Sequence, residues 1–395
     1  VPLLYLFARQ LLTQSYAFLC ALLLALSHWH VTISRWGWDQ VLCTTLFIAS
    51  SLSLFRAFKR GSLLSAVLGG VLLGFMLATS ASALVGIVVL VVSSTILGVQ
   101  VREQFHLTLV FIFAAILSMA PQLLEIGLDG YHHGSRLKEL SILPQTLSGN
   151  FAVLATNLKL YGLMLFSHGD RNPRHNIPGL AQLDEVGGVL LLLGMFYCLR
   201  NLRLKECWFA ILWIFLGLLA GVLSHPIEAP HAYRTFIIVP GCYFLAAIGA
   251  ERVLARWLVL KGGTLRRISF SIISFAALYS FGFTSYFYFY VRENDPRFWN
   301  VTGGAVGHAL AREIKADWED NFEVFVDKAL YDIALDFELR VLNPKRSGNF
   351  ITLIWDRKLV VNGILYAPVE KLGSINTGDA VRLSKGRALY QRIVP

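Results

Sequence analysis

The chain has 395 residues, 55% of them hydrophobic and only 15% charged, with a net charge of +10 and a mean hydropathy of +0.58. Soluble domains carry roughly 25% charged residues, so this composition excludes an ordinary soluble globular protein and makes membrane lipid the expected surroundings. The cations sit in short loops between apolar runs and not on one basic face, which excludes nucleic acid as the partner.

Val1–Ala8 is apolar and then meets Arg9, with neither the charged leader nor the cleavage site of a signal peptide. It reads as the tail of a span that begins further upstream, and we expect the native protein to be longer at its N-terminus. Nine complete spans are expected after it, at 15–31, 38–56, 62–79, 82–100, 105–124, 183–200, 206–224, 234–256 and 266–290. Each approaches or exceeds the ~18 apolar residues needed to cross a bilayer as a helix. Gly61, Gly69, Gly70 and Gly74 are spaced for close helix packing. The cysteines, Cys20, Cys43, Cys198, Cys207 and Cys242, form neither a disulfide framework nor a metal spacing, and read as small buried apolar residues.

Alternate loops differ in cationic content. One set holds Arg9, Arg56, Lys59, Arg60, Arg102, Arg200, Arg203, Lys205, Arg252, Arg256, Lys261, Arg266 and Arg267, whereas the other short loops hold only Arg35 and Arg234. An excess of Lys and Arg marks the cytoplasmic side, so the first set is expected inside, in a multi-pass inner-membrane protein. Ser27–Gln40, the long stretch 125–182 and everything after Val291 then face the extracytoplasmic side. Within 125–182, Leu137–Leu143 and Phe151–Phe166 have helix-like apolar spacing and are expected to lie in the interface plane. Trp29, Trp36, Trp38, Tyr286, Tyr288 and Tyr290 cluster at span ends, where interface anchoring is the ordinary explanation.

After Tyr290 the composition changes to that of a small soluble domain. Helices are expected at Gly304–Trp318 and Ala329–Val341, and strands at Asn349–Asp356, Lys358–Ala367 and Ala380–Leu383, with turns at Asn362-Gly363 and Thr377-Gly378-Asp379. The expected fold is mainly α: a polytopic transmembrane helical bundle over 1–290 and an extracytoplasmic α+β domain over 291–395.

No phosphate-binding glycine loop, paired-histidine zinc helix or nucleophile elbow is present. The informative polar residues fall in three runs, Ser27–Asp39, His168–Gly179 and His225–Arg234, which hold six of the ten histidines (His28, His30, His168, His175, His225, His231). Ionisable groups near a membrane are costly unless paired or used. A lipid-phosphate sugar donor offers one account. Its departing phosphate develops negative charge that fixed arginines stabilise, and guanidinium binds phosphate oxygens bidentately. The acceptor hydroxyl then needs a carboxylate base. Plainer readings stand beside this one. Arg35 can be a snorkelling interface residue, His28 and His30 can satisfy loop hydrogen bonds, and 168–179 can be an ordered proline-rich loop. Asp170, Asp184 and Glu228 can be partners of nearby arginines. Asn300-Val301-Thr302 matches the glycosylation pattern, which is common by chance.

The run Leu26-Ser27-His28-Trp29-His30-Val31-Thr32-Ile33-Ser34-Arg35-Trp36-Gly37 resembles the second extracytoplasmic loop of bacterial protein O-mannosyltransferase-like proteins. These belong to the GT-C superfamily, with the lipid A aminoarabinose transferases as relatives. Gly169-Asp170-Arg171-Asn172-Pro173-Arg174-His175-Asn176 and Ala229-Pro230-His231-Ala232-Tyr233-Arg234 are similar to other loops of that family. The resemblance covers residues 1 to about 290 and implies eleven spans and inverting transfer from a polyprenyl-phosphate sugar to an extracytoplasmic protein, lipid or glycan acceptor. It implies Arg35 and Arg234 as lipid-phosphate contacts and His231 as a helper, with His28, His30, Asp170, Arg171, Arg174 and His175 as further substrate-binding candidates. The loop bearing the family's catalytic acidic residue would lie upstream of Val1, so no base is named. No cofactor is firmly implied, a divalent metal being the one left open, and 291–395 is expected to meet acceptor or protein partners. The alternative from another class is a non-catalytic accessory subunit of a larger membrane assembly that retains this fold.

Overall fold

The structure is a computed structural model that describes residues 1–80, 82–128, 141–260, 264–292, 294–295, 304–319, 324–327, 352–354, 364–368, 380–383 and 387–393. It divides into two compact units, Val1–Phe289 and Tyr290–Pro395.

The first unit is helical, as lipid requires of a chain with no water to satisfy its backbone. In order come α1 (Pro2–Ala8), α2 (Gln14–Leu26), α3 (His28–Arg35), α4 (Asp39–Arg60), α5 (Leu63–Leu77), α6 (Ala83–Gln100) and α7 (Phe105–Leu128). They are followed by α8 (Ala152–Met164), α9 (Glu185–Arg200), α10 (Lys205–Val222), α11 (Phe236–Leu260) and α12 (Leu265–Ser285). Around the middle of the bundle the rings of Phe7, Phe47, Phe209, Trp213 and Phe244 pack in edge-on and tilted pairs, and the Trp213 indole donates to the Ile237 carbonyl at 2.8 Å. All five cysteines are free and buried.

Nine spans were expected, but among the described residues six helices are long and apolar enough to cross a membrane, or seven if α2 and α3 form one bent span. Two causes account for the difference. α5 has 15 residues and α9 has 16, short of the ~20 that a crossing needs. The expected span 15–31 breaks at Ser27, whose extended backbone (ψ 124°) and side chain, accepting from the His30 amide, start a new helix at a 57° bend. That bend turns Trp29 inward. It is fully buried, with its indole donating to the Ala232 carbonyl at 3.3 Å, so it is no interface anchor. Trp36 is exposed and stacks on Trp38.

The glycine expectation divides as well. Gly69, Gly70 and Gly74 bring α5 against α7: a β-carbon at Gly70 would strike the Phe111 carbonyl and one at Gly74 the Ser118 hydroxyl. Gly61 instead ends α4 in the left-handed conformation (φ 62°), the C-terminal position that glycine fills without strain. α4 sets the scale of the molecule. Its 22 residues rise about 33 Å, from Asp39 in the first turn to Lys59 and Arg60 in the last, where cations complement the helix dipole.

The second unit carries α13 (Gly304–Glu319) and strands β1 (Val324–Asp327), β2 (Thr352–Ile354), β3 (Ile364–Pro368), β4 (Ala380–Leu383) and β5 (Arg387–Ile393). The sheet order is β2-β1-β3-β5-β4. β1 is parallel to β2 and β3, and β5 is antiparallel to β3 and β4. Leu310, Ala311 and Ile314 bury one face of α13, and Val324 and Val326 are buried on β1. β1 and β5 are strands that sequence patterning missed: one is four residues long, the other carries two arginines and a glutamine. The expected helix Ala329–Val341, both turns and Asn300 lie outside the described residues, as do the first and last residues of the expected strand Asn349–Asp356.

Candidate functional site

The loop after α8 is organised by Asp170. One carboxylate oxygen, Oδ1, accepts the Asn172 amide at 2.7 Å. The other, Oδ2, accepts the Ala232 amide at 2.7 Å and meets His175 Nδ1 at 3.0 Å. The Asp170 carbonyl takes the Gly179 amide at 3.0 Å and the Asn176 side chain at 3.2 Å. Gly169 lies so close to the Leu180 carbonyl that a β-carbon would collide with it. Asp170 thus fixes the turn 170–179 and ties it to the segment before α11.

That segment, Ala229–Thr235, contains a cis Ala229–Pro230 bond and is braced from below. The His231 amide donates to the Tyr161 hydroxyl of α8 at 3.2 Å, and Asn157 of α8 donates to the Val222 and Ser224 carbonyls at 2.8 Å each. The imidazoles of His175 and His231 lie 4.4 Å apart, centroid to centroid. Trp38 packs edge-on against both His175 and Tyr233, and the Tyr233 hydroxyl donates to the Asp39 carboxylate. Gln40 donates to Ser80 and Ser82, and the Ser82 hydroxyl donates to the Arg234 carbonyl at 3.2 Å.

These groups enclose a cavity of about 810 Å³ at the end of α4 that carries Asp39. Its polar wall includes Asp39, Arg174, His175, His231, Tyr233 and Arg234, and its apolar wall comes from Leu84 and Val85 of α6 and Leu219, Ala220 and Leu223 at the end of α10. A smaller cationic cleft of about 300 Å³, lined by Arg9, Arg56, Lys59 and Arg60, lies at the opposite end of α4. Burial, with His175 and Arg234 nearby, holds the His231 imidazole down at about 3 against the opposing pull of Asp170, so it is neutral at pH 7. Burial and the Asp39 carboxylate raise the Tyr233 phenol, keeping it a donor.

Comparison with family models, curated proteins and solved structures gives no match.

Of the residues singled out in the sequence, Arg174, His175, His231 and Arg234 line the cavity, and Asp170 sits behind the two imidazoles. The others do not line it. Arg171 is exposed. Arg35, also exposed, stands over the Tyr288 ring at 5.3 Å. His28 is buried against Phe283 at 5.6 Å, with Asn176 and Ala181 as polar neighbours. His30 stacks on Phe236 at 6.3 Å. Asp184 caps α9, accepting from the Gly187 amide and Ser280, and partners no arginine among the described residues. Glu228's side chain lies outside them.

Sequence reasoning missed Asp39, Tyr233, Tyr161 and the Gln40–Ser80–Ser82 set as parts of the site. Asp39 and Tyr233 had a signal: Asp39 is the only acid of the first polar run, and Tyr233 adjoins Arg234. The serines had none. Chemically, the two guanidiniums suit an anion, Asp39 can accept a proton, and Asp170, His175 and His231 form a donor set whose ligand atoms all lie within 4.8 Å of one another.

Proposed function

We propose that this is an integral inner-membrane glycosyltransferase that moves a sugar from a polyprenyl-phosphate donor to an extracytoplasmic acceptor hydroxyl. The observation that carries the reading is one cavity whose lining joins two arginines and a carboxylate to the apolar ends of α6 and α10. Its volume falls within the roughly 300–1,000 Å³ usual for small-molecule sites. Sequestering a headgroup between lipid-facing helices calls for this pairing of walls. The cation-rich loops at the opposite end of α4 support a cytoplasmic position for that end and an extracytoplasmic one for the cavity.

In this reading Arg174 and Arg234 hold the donor phosphate, with bidentate geometry that lysine lacks. As the acceptor oxygen bonds to the anomeric carbon, the bond from that carbon to the phosphate oxygen breaks, and charge grows on the phosphate where the guanidiniums stabilise it. The hydroxyl proton passes to Asp39, the carboxylate of this chain that lines the cavity. Tyr233 orients that carboxylate. Attack from the face opposite the leaving phosphate inverts the anomeric centre. Arg35, over the Tyr288 ring and outside the cavity lining, does not touch the phosphate.

The test is transfer from a radiolabelled polyprenyl-phosphate sugar by the detergent-purified chain. Arg234→Ala should lower the rate about a hundredfold, equivalent to about 2.7 kcal/mol of transition-state stabilisation, with partial recovery in Arg234→Lys. Arg35→Ala should stay within about threefold. Wild-type transfer by a folded Arg174→Ala/Arg234→Ala double variant would remove the cavity from the reaction.

A further inference from the structure

We propose that Asp170, His175 and His231 bind one divalent transition-metal ion, of the softness of zinc, at the inner wall of the cavity. The proposal does not depend on sugar transfer. All three residues are buried, and each brings one ligand atom to within 4.8 Å of the other two. Asp170 Oδ2 and His175 Nδ1 are already 3.0 Å apart. Two donors on a tetrahedral ion with bonds of 2.0–2.2 Å are about 3.4 Å apart, so this pair needs to part by only about 0.4 Å to hold one, and the His231 ligand atom lies within 4.8 Å of both.

The donor type argues for the ion class. Two imidazoles and one carboxylate suit zinc and its neighbours, whereas magnesium and calcium prefer all-oxygen sets. Three protein ligands with an open fourth position are the arrangement of reactive zinc centres, in contrast to closed structural ones. Both imidazoles line the cavity, so the open position faces it and can take a water or an anionic oxygen from whatever the cavity holds. The surroundings restrain the ligands as outer groups do in such sites. The Asn172 and Ala232 amides hold the carboxylate, Tyr161 holds the His231 backbone, and Trp38 packs on the His175 ring. The competing reading is that the Asp170–His175 contact is a hydrogen bond that locks the loop and nothing more.

The experiment uses the full chain purified in detergent, stripped with EDTA, dialysed against Zn²⁺ and assayed by elemental analysis, with Co²⁺ as a spectroscopic probe. One zinc per chain is expected, with a tenfold excess of Mg²⁺ failing to compete. Co²⁺ should give the intense visible bands of a four-coordinate site. His175→Ala and His231→Ala should each weaken zinc binding at least a hundredfold, while His28→Ala, a buried histidine outside the set, leaves it unchanged. Because the alanine variants can fail to fold, the wild-type protein carries an independent arm: saturating Zn²⁺ should raise its unfolding temperature, and Mg²⁺ should not. Absence of bound zinc in the wild type, or retention of binding in the folded His175→Ala/His231→Ala double variant, overturns the site and leaves the loop lock.

Discussion

Asp170 can be removed to ask what its carboxylate contributes to the fold in metal-free protein. In Asp170→Ala, the part-buried amide of Asn172 and the buried amide of Ala232 lose acceptors at 2.7 Å, and His175 loses its partner at 3.0 Å. Leaving one buried donor unsatisfied costs about 1–3 kcal/mol, and three donors lose this acceptor. The carboxylate's own desolvation is recovered, which trims the sum, so we expect a net loss of about 3–4 kcal/mol. Asp170→Asn keeps the shape and offers one carbonyl oxygen, which satisfies one amide. Its NH₂ group then faces another donor, and the loss should be about 2 kcal/mol. Domains of 150–250 residues shift by ~2–4 °C per kcal/mol, and this unit is larger, so Asp170→Ala should lower the unfolding temperature by about 5 °C or more. The assay is thermal unfolding in detergent with EDTA present, followed by tryptophan fluorescence, since Trp38 packs on His175. An unchanged unfolding temperature and Trp38 signal in Asp170→Ala would refute the idea that this carboxylate ties the 170–179 turn to the segment before α11.

Two further predictions address packing and orientation. Gly70→Val should separate α5 from α7 and destabilise the protein by at least the ~1–3 kcal/mol typical of overpacking. Gly162→Ala, with open space around its β-carbon position and a helical backbone, should be neutral or mildly stabilising; equal stability of Gly70→Val and wild type in a melting assay would contradict the packing. Because the native cysteines are all buried, single exposed cysteines report topology cleanly. Arg171→Cys should react with an impermeant thiol reagent in intact cells and Lys59→Cys only after lysis, and the reverse pattern would invert the orientation.

Helix positions were legible because lipid imposes a simple rule: apolar length with satisfied backbone. What was not legible was where apolar stretches bend or stop. Nothing in hydropathy announces that Ser27 will cap α3 and turn Trp29 into the interior, because both residues suit a span end equally well. The site was half legible for a related reason. His175, His231, Arg174 and Arg234 stand out as costly residues beside apolar runs. Asp39 reaches them through Tyr233, Ser80 through Gln40 and Ser82 through the Arg234 carbonyl, contacts between segments some 40 to 190 residues apart that no local pattern records. Arg35 shows the opposite case: as a cation against the expected charge rule it looked central, yet it lies outside the cavity lining, over the Tyr288 ring.

The balance of costs also bears on the choice between an active enzyme and an accessory subunit. A scaffold needs helix packing, and α5 with α7 shows how glycines alone supply it. It has no need to bury Asp170, His175 and His231 together beside an open cavity, where desolvation opposes every charge and apolar residues of similar volume would hold the fold as well or better. Residues that break local rules tend to mark function. Here three buried titratable side chains gather beside the cavity at one end of α4, while at the other end, where the buried acid Glu251 meets the Thr13 amide, the cations Arg56, Lys59 and Arg60 follow the ordinary charge bias of membrane proteins. That asymmetry favours chemistry at the Asp39 end, and it is why the active reading is preferred over the accessory one.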